Sequence, residues 1–293
     1  MNKKAFTLIE LMTVIGIIAI LAGLMLVGYN IFFSEANIGS SMRFDSSIHH
    51  SIGYALVGDW KMDDNAANST VVDTSGNGND GTFYSGGTED NTADHSVDGA
   101  NGRALEFDGV DDYIETDVTP QNLDKPFTIS FWGNISSEIG SIGGIIETGS
   151  QTSGGKGFVF GTPPSMPPLA ILGITDGGSG DVDLSIDISS ITNSWHHFVG
   201  TFDGSRVTIY LDSEIKDTAT DTFSGVQISD TWRIGDISSD GITYFEGQID
   251  QARIYKTNLS TSAIEQEYSS GLQKLYKKGL ISREEYIKRV VQK

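Results

Sequence analysis

The sequence predicts three regions: a long N-terminal α-helix, a mainly-β antiparallel sandwich of the jelly-roll kind, and a short C-terminal helical hairpin. Three observations lead to this fold class. A long uncharged apolar run lies near the N-terminus, and a basic segment with helical periodicity ends the chain. Between them, short apolar alternations are broken by Gly, Asp, Asn and Ser, which is typical of strands and turns.

The charge of the chain is large and unevenly distributed. Its 293 residues carry Lys+Arg 19 against Asp+Glu 39, a net charge of −20 at pH 7, and no cysteine. The missing cysteines exclude disulfides, thiolate zinc sites and cysteine nucleophiles. Residues 1–44 carry +1 and residues 272–293 carry +5, so the residues between them carry −26. Such an acidic body repels phosphate backbones, so we expect no nucleic-acid partner and favour divalent cations or neutral glycans.

The N-terminal helix is predicted from residues 11–33, which contain no charged side chain. At about 1.5 Å of rise per residue, this run is long enough to cross a hydrocarbon core of about 30 Å. A secretory signal peptide has a shorter apolar stretch followed by a small-residue cleavage site, and a globular helix is rarely apolar on every face. Lys3 and Lys4 predict a cytoplasmic N-terminus, which places the rest of the chain outside.

Glu10 stands at the start of this apolar run. One interpretation is a capping box, because Thr7 and Glu10 have the spacing that caps the N-terminus of a helix in an ordinary membrane anchor. The other comes from the segment KAFTLIELMTVIGIIAILAG, which resembles the leader of type IV prepilins. That resemblance implies cleavage between Ala5 and Phe6, N-methylation of Phe6, and a Glu10 carboxylate that neutralises the Phe6 amine of a neighbouring subunit. Ala5 departs from the family, which usually has Gly before the cut.

The sandwich is predicted from apolar residues that repeat at every second position, the period of half-buried strands. Turn residues separate these stretches: Asp203-Gly204 joins two of them, and Asp108-Gly109 splits another pair. Many short strands without helical runs between them favour an antiparallel sandwich or jelly roll. The alternations occur at residues 127–131, 158–160, 198–202 and 207–211.

Five motifs stand in order along this region: GDWKMD (58–63), DTSGNGNDGT (73–82), ALEFDGVDDYI (104–114), SWHHF (194–198) and FEGQIDQARIY (245–255). Together they resemble the concanavalin A-like, laminin-G-like family over about residues 56–270. The resemblance implies a jelly-roll fold. Ser213 and Gly133-Asn134 depart from the family pattern near two loops.

The DTSGNGND loop is a candidate calcium site. Asp73, Asn77 and Asn79 supply oxygen donors in a glycine-rich turn, and such hard donors suit Ca²⁺. The family resemblance adds Asp250 of the final strand and Asp63 after the first Trp. The alternative is an Asx-turn loop whose side chains cap backbone amides without a metal.

The concanavalin A-like resemblance also suggests glycoside hydrolysis as a chemistry of this domain. Retaining glucanases of the same superfamily use carboxylates on one strand, about 5–5.5 Å apart, and Glu106 with Asp108 resembles the start of that pattern. However, Gly109 follows as a hairpin turn, and the third carboxylate of the enzyme pattern is missing. We therefore expect the protein not to be an enzyme, and a polysaccharide-degrading enzyme is the weakest interpretation.

The end of the chain is predicted as a short helix at residues 263–269 followed by a tail of two short helices. Gly279 ends the first tail helix, and Ser282 with Glu285 forms a capping box for the second. The tail is similar to the short C-terminal oligomerisation motif called SHOCT. Its positive charge suits docking on the acidic body of a neighbouring subunit, and the alternative is a hairpin that caps its own domain.

Together these features predict a structural subunit of a type IV pilus or pseudopilus-like filament that self-associates through its N-terminal helix. The head would be lectin-like or adhesive, with a glycan or other surface ligand. The prepilin resemblance implies prepilin peptidase and the inner-membrane assembly machinery as partners, with the chain in the inner membrane first and in an extracellular filament at the cell surface afterwards. The alternative is a membrane-anchored module that binds carbohydrate or protein without polymerising. The domains are then a leader (1–5), a transmembrane and assembly helix (6–52), the jelly roll (56–270) and the tail (271–293).

Overall fold

The chain divides into two compact units, Met1–Ser47 and Ile48–Lys293. The structure is a computed structural model. It describes residues 12–21, 53–118, 126–136, 144–148, 156–161, 169–176, 182–220, 232–236 and 244–291.

In the first unit, residues 12–21 form a helix, α1, as the apolar run predicts. Each of these residues is exposed, including the large apolar side chains of Met12 and Leu21. An apolar surface of this kind needs lipid or another apolar face against it. Among the described helices, none is both long enough and apolar enough to cross a bilayer. The predicted processing and assembly residues Ala5, Phe6 and Glu10, and the rest of the predicted apolar helix, lie outside the described residues.

The second unit is a sandwich of two antiparallel sheets, which confirms the predicted fold class of this region. Its strands are β1 Leu56–Trp60, β2 Thr70–Val71, β3 Gly81–Ser85, β4 Thr88–Glu89, β5 Ser96–Asp98, β6 Arg103–Asp108, β7 Tyr113–Thr116, β8 Phe127–Ile135, β9 Gly144–Thr148, β10 Lys156–Gly161, β11 Leu169–Asp176, β12 Val182–Asp187, β13 Trp195–Phe202, β14 Arg206–Leu211, β15 Glu214–Thr220, β16 Trp232–Ile234 and β17 Glu246–Tyr255. Its helices are α2 Thr92–His95, α3 Thr261–Lys278 and α4 Arg283–Val291.

Within the described residues, the first sheet has the strand order β15-β14-β13-β8-β17-β6-β5, with β1 also paired to β17. The second has the order β12-β11-β10-β9-β16-β7-β3-β2, with β4 paired to β3. Non-consecutive neighbours such as β8 and β17 bring distant parts of the sequence side by side. The last strand of the sandwich therefore lies in the middle of the first sheet.

The core lies between the two sheets and is formed by the predicted alternations. Phe131 of β8 stacks on Phe198 of β13, with ring centroids 5.3 Å apart. It also meets Phe160 of β10, in the second sheet, edge to face at 5.0 Å. Successive residues of a strand point to opposite faces, so the neighbours of these core residues face away from the core. The polar groups of the first sheet lie on its outward face.

The predicted Asp203-Gly204 hairpin is confirmed between β13 and β14. Asp203 Oδ1 accepts hydrogen bonds from the backbone N–H groups of Ser205 and Arg206, at 2.9 and 2.7 Å. Gly204 has a φ of 103°, a conformation that residues with a Cβ rarely adopt. The turn chemistry visible in the sequence thus sets the local geometry.

The structure joins two helices that the sequence predicts as separate. One helix, α3, runs unbroken from Thr261 to Lys278, where the sequence suggested a short helix and then a separate one. Gly271 lies in the middle of α3 against Trp132, and a Cβ added to it would stand 2.3 Å from the Cζ2 atom of that ring. The glycine therefore permits close helix-to-sheet packing and does not end a helix.

The tail caps its own domain, which was one of the two predicted alternatives. Gly279 ends α3 in the left-handed conformation with a φ of 74°, as predicted. Ser282 Oγ then accepts a hydrogen bond from the Glu285 N–H at 3.1 Å, which is half of the predicted capping box. Tyr286 of α4 stacks on Tyr276 of α3 with ring centroids 4.8 Å apart. The similarity to SHOCT remains a prediction.

Candidate functional site

The loop predicted to bind calcium is held by its own hydrogen bonds. Asp73 Oδ1 accepts from the backbone N–H groups of Asp59 and Ser75, at 2.9 and 2.8 Å. Asp73 Oδ2 accepts from the Ser75 hydroxyl at 2.7 Å and from the Asn79 N–H at 3.0 Å. A carboxylate has about four acceptor positions. Because four donors already occupy Asp73, a metal would have to displace some of them.

The two asparagines of this loop tie it to β1. Asn77 Nδ2 donates to the Leu56 carbonyl at 2.9 Å, and Asn79 Nδ2 donates to the Val57 carbonyl at 2.7 Å. This is the geometry of the Asx-turn alternative, in which side chains cap and anchor the backbone. Calcium at Asp73, Asn77 and Asn79 stays a prediction.

The other two predicted ligands, Asp63 and Asp250, hold a different turn at residues 99–103. Asp250 Oδ2 accepts from the Asn101 N–H and Asp63 Oδ1 accepts from the Arg103 N–H, each at 2.7 Å. Asp250 is fully buried, and its Oδ1 has no hydrogen-bond partner among the described residues. Burial raises the pKa of Asp250 well above its usual value, and the Asn101 hydrogen bond opposes that rise. The structure therefore brings these two carboxylates together around one turn.

A second acidic group, not singled out as a site from the sequence, lies at the β6–β7 hairpin. Carboxylate oxygens of Asp108, Asp111 and Asp112 lie within 4.8 Å of one another. They close the turn: Asp108 Oδ1 accepts from the Val110 N–H at 2.8 Å, and Asp112 Oδ2 accepts from the Asp108 N–H at 3.0 Å. Burial raises the pKa of Asp112. The DGVDD sequence was the available signal for this cluster, and its hydrogen bonds are those of a stabilised hairpin.

A polar groove crosses the outer face of the first sheet. Glu106, Gln248 and Asn134 lie in register on β6, β17 and β8, three adjacent strands. Asn134 Nδ2 donates to Gln248 Oε1 and Gln248 Nε2 donates to Glu106 Oε1, both at 3.2 Å. The row borders a cavity of about 310 Å³. The further polar side chains that line this cavity are Asp108, Ser136, Asn193 and Glu246.

A cleft of about 460 Å³ separates the sandwich from α4. A hydrogen-bonded pair and an ion pair line it: His196 Nδ1 lies 2.7 Å from Asp212 Oδ2, and Arg289 Nε donates to Glu285 Oε1 at 2.7 Å. Burial acts to raise the pKa of Asp212, but the hydrogen bond and the charge of His196 outweigh burial and lower it. Arg289 Nη1 also donates to the carbonyl of Trp195 at 2.8 Å. These contacts dock the tail on its own sandwich.

Ser194, His196 and Asp212 form a hydrogen-bonded series in the order used by nucleophilic triads. Ser194 Oγ lies 3.0 Å from His196 Nε2. The same hydroxyl donates to the carbonyl of Ile191 at 2.7 Å, so its proton serves the turn that precedes β13. An activated serine instead gives its proton to the histidine. The three side chains therefore form a hydrogen-bond network that holds the turn, and the serine is not in the geometry of an activated nucleophile.

Two family models match the sequence. Residues 108–265 match the one described as the concanavalin A-like lectin/glucanases superfamily. Residues 1–26 match the prokaryotic N-terminal methylation motif, which is characteristic of type IV pilus and pseudopilus subunits. No curated protein matches the chain.

Solved structures of receptor-binding and ligand-binding domains share the fold. The receptor binding domain of botulinum neurotoxin C/D mosaic serotype has a TM-score of 0.59 and 18% identity, over 75% of this chain and 52% of that chain. The botulinum neurotoxin serotype D ligand binding domain in complex with N-acetylneuraminic acid has a TM-score of 0.58 and 19% identity, over 76% and 52%. The binding domain of Paraclostridial Mosquitocidal Protein 1 has a TM-score of 0.56 and 16% identity, over 75% and 53%.

The chain spans about half the length of these neighbours, and identities this low establish the fold alone. The superfamily model covers more than half of the chain and includes β8 and β17, two of the three strands that form the polar groove. The protein therefore belongs to the concanavalin A-like lectin/glucanases superfamily and carries an N-terminal methylation motif.

Proposed function

We propose that the protein is a subunit of a type IV pilus or pseudopilus-like filament whose non-enzymatic head binds neutral glycans. The filament assignment rests on the methylation motif over residues 1–26. The exposed apolar side chains of α1 support it, because they need an apolar partner such as the bilayer or the helices of other subunits.

Processing would prepare the assembly contact. Hydrolysis of the Ala5–Phe6 peptide bond by prepilin peptidase frees an α-amino group on Phe6, which is N-methylated and carries a positive charge at neutral pH. Glu10 is the carboxylate that would pair with this amine in a neighbouring subunit. In an apolar filament core or in the bilayer, an unpaired Glu10 would be costly, so the pair favours a defined register between subunits.

Electron microscopy of sheared surface material tests the assembly role. Glu10→Val should abolish filaments and leave membrane insertion intact, because the apolar run is preserved. Glu35→Val, which removes a carboxylate beyond that run, is the matched control and should leave filaments intact. Filaments in the Glu10→Val strain would contradict the pairing. A membrane-bound protein without filaments in the wild type would favour the anchored binding module.

Glycan binding is proposed for the polar groove. Sugar hydroxyls both donate and accept hydrogen bonds, and the row of Glu106, Gln248 and Asn134 offers carboxylate and amide groups spaced across three strands. The cavity beside it, about 310 Å³, lies at the small end of the range for ligand sites, roughly 300–1,000 Å³. The lectin/glucanase family and the neighbour in complex with N-acetylneuraminic acid support a carbohydrate ligand.

Charge favours a neutral sugar. Glu106, Asp108 and Glu246 place three carboxylates around the groove, and the surrounding body is strongly acidic. A sialic acid carboxylate would be repelled there unless a cation intervened. A catalytic role is not proposed, because Asp108 already accepts hydrogen bonds from the Val110 and Asp111 N–H groups and so serves the turn.

Binding of the full-length protein, in detergent, to an array of neutral and sialylated glycans tests this half. A neutral glycan should bind, and Asn134→Ala should weaken it about tenfold or more, since an unpaired polar partner is left in the groove. Asn65→Ala, at an exposed position in the loop between β1 and β2, is the matched control. Preference for sialylated glycans would refute the assignment of a neutral glycan as the ligand. Hydrolysis of a glucan by the wild type but not by Glu106→Gln would refute the assignment of a non-enzymatic head.

A further inference from the structure

Three flat side-chain groups lie stacked on the second sheet. Tyr84 of β3 and Tyr113 of β7 stand directly opposite each other in the antiparallel register. Their ring centroids are 4.9 Å apart, and the ring planes differ by 10°. Arg233 of β16, the strand on the other side of β7, holds its guanidinium carbon 4.9 Å from the centroid of the Tyr113 ring. We call Arg233, Tyr113 and Tyr84, in that order, the tyrosine stack.

The tyrosine stack faces away from the core. Phe83 and Ile114, chain neighbours of the two tyrosines, are fully buried between the sheets. Because successive residues of a strand point to opposite faces, Tyr84 and Tyr113 lie on the outer face of the second sheet, where both are half-buried. Helix α3 packs against Trp132 of the first sheet, so it covers the opposite side of the sandwich.

Two carboxylates hold Arg233 over the ring. Its Nε and Nη2 donate to Glu115 Oε2 at 3.1 and 2.9 Å, and its Nη1 donates to Asp236 Oδ2 at 3.0 Å. A guanidinium group has five N–H donors in a fixed planar fork, so three such bonds leave its plane little freedom. The position of the Tyr113 ring, between Arg233 and Tyr84, is therefore set before any ligand arrives.

The Tyr84 end of the tyrosine stack is its open end. Among the described residues, Tyr113 is the only ring that stacks on Tyr84. Glu89 of β4, the register partner of Tyr84 on its other side, is exposed and accepts a hydrogen bond from the Ser69 hydroxyl at 2.9 Å. A ligand on the outer face of the Tyr84 ring would thus meet an aromatic surface with a hydrogen-bond acceptor at its rim.

Phenol hydroxyl groups border the tyrosine stack. Tyr244 forms an isolated β-bridge with Asp236 and brings a third tyrosine to the Arg233 end. Burial raises the pKa of Tyr244, and the charges of Asp236 and Asp111 add to the rise, so this phenol keeps its proton. Within the part of the chain that the structure describes, the hydroxyl groups of Tyr84, Tyr113 and Tyr244 have no hydrogen-bond partner. Since a phenol hydroxyl both donates and accepts, these groups suit a ligand rich in hydroxyls.

A pyranose whose hydroxyl groups are all equatorial has the matching surface. In a β-linked glucose unit, the C–H bonds form two apolar ring faces and the hydroxyls form a polar rim, which complement an aromatic face bordered by phenol hydroxyls. Charge again favours a neutral sugar. Asp111, Glu115 and Asp236 outnumber Arg233 around the tyrosine stack, so an anionic sugar would be repelled.

We propose that the tyrosine stack is a second glycan site, which binds neutral β-linked glucose units by stacking a pyranose ring on Tyr84. It lies on the outer face of the second sheet, whereas the polar groove lies on the outer face of the first. The site extends glycan binding by the head and does not depend on the groove. Two sites on one head raise the effective concentration of a polysaccharide at the second site once the first is bound.

Isothermal titration calorimetry of the full-length protein with cellohexaose, in a detergent without a sugar headgroup, tests this. Tyr84→Ala should weaken binding about tenfold or more, because the stacking surface is lost. Tyr84→Phe keeps the ring and should stay within about threefold of the wild type. Tyr276→Ala is the matched control and should bind as the wild type does, since it removes one ring of another stacked pair, in which Tyr286 lies 4.8 Å away.

No binding of cellohexaose by the wild type would overturn the proposal, and so would equal binding by Tyr84→Ala and the wild type. Asn134→Ala separates the two sites. Loss of cellohexaose binding in that variant alone would overturn the tyrosine stack as a site and leave the groove, whereas loss in Tyr84→Ala alone would support the tyrosine stack whatever the groove binds. If Tyr84→Ala fails to melt cooperatively, Tyr84→Leu replaces it under the same criteria, because it keeps an apolar side chain without the aromatic ring.

Discussion

Replacing the buried Arg253 by Met should destabilise the sandwich several times more than replacing an exposed lysine. Arg253 of β17 donates from Nε to Asp59 Oδ1 at 2.8 Å and from Nη2 to Gln251 Oε1 at 2.5 Å. Its Nη1 also lies 3.6 Å from Oε1 of the nearly buried Glu267. One guanidinium group therefore joins the first strand, the last strand and α3.

The expected cost follows from the charges left behind. Loss of one partner from a buried ion pair costs about 3–5 kcal/mol, because the other charge stays buried and unpaired. For a domain of this size, that corresponds to a fall of about 6–20 °C in melting temperature. The matched control is Lys216→Met, which breaks a pair with Glu214 at 2.7 Å in which both side chains are at least one third exposed. That control should cost about 1 kcal/mol or less.

Thermal and urea unfolding, followed by circular dichroism, measure both variants. Burial acts to raise the pKa of Asp59, but Arg253 outweighs it and lowers that pKa, so the variant leaves an acid that is poorly tolerated when ionised. Adding Asp59→Asn to Arg253→Met should therefore recover part of the lost stability. A fall for Arg253→Met no larger than that for Lys216→Met would refute the reasoning.

Two further predictions concern packing and acid stability. Gly271→Ala should lower stability by about 1–3 kcal/mol, since the new methyl group meets Trp132, whereas Gly53→Ala, with nothing within 4 Å, should change little in the same urea melts. The pKa of Asp212 is lowered in the folded state, so its contribution to the stability of the fold is present above its usual pKa and is lost as pH falls through the folded value. Asp212→Asn should therefore reduce the fall in melting temperature below about pH 4, whereas the exposed control Asp217→Asn should not. An unchanged fall in melting temperature at acid pH in Asp212→Asn would contradict this.

The sequence predicted the features that local chemistry determines. The alternation at 127–131 predicted β8, and Asp203-Gly204 predicted a hairpin, because side-chain period and turn conformation are properties of a few adjacent residues. The unbroken α3 was missed for the opposite reason. Gly271 weakens an isolated helix, and the contact with Trp132 that makes it useful joins residues far apart in sequence.

The candidate sites were likewise predicted where they depend on neighbours in sequence and missed where they depend on residues far apart in sequence. The Asx-turn geometry of the Asp73 loop was foreseen as an alternative, since it involves neighbours in sequence. The groove was missed because Glu106, Asn134 and Gln248 meet through strand pairing. Asn134 did carry a signal, as a departure from the family pattern beside Trp132. The contact between Arg233 and the Tyr113 ring has no counterpart in local sequence.

The mass of the N-terminal peptide of the protein, recovered from sheared surface filaments, tests the central claim most directly. We predict a peptide that begins at Phe6 and carries one methyl group on its α-amino nitrogen. A filament peptide that still begins at Met1, or a surface fraction that contains no filaments of this protein while the membranes hold it with Met1 intact, would contradict this.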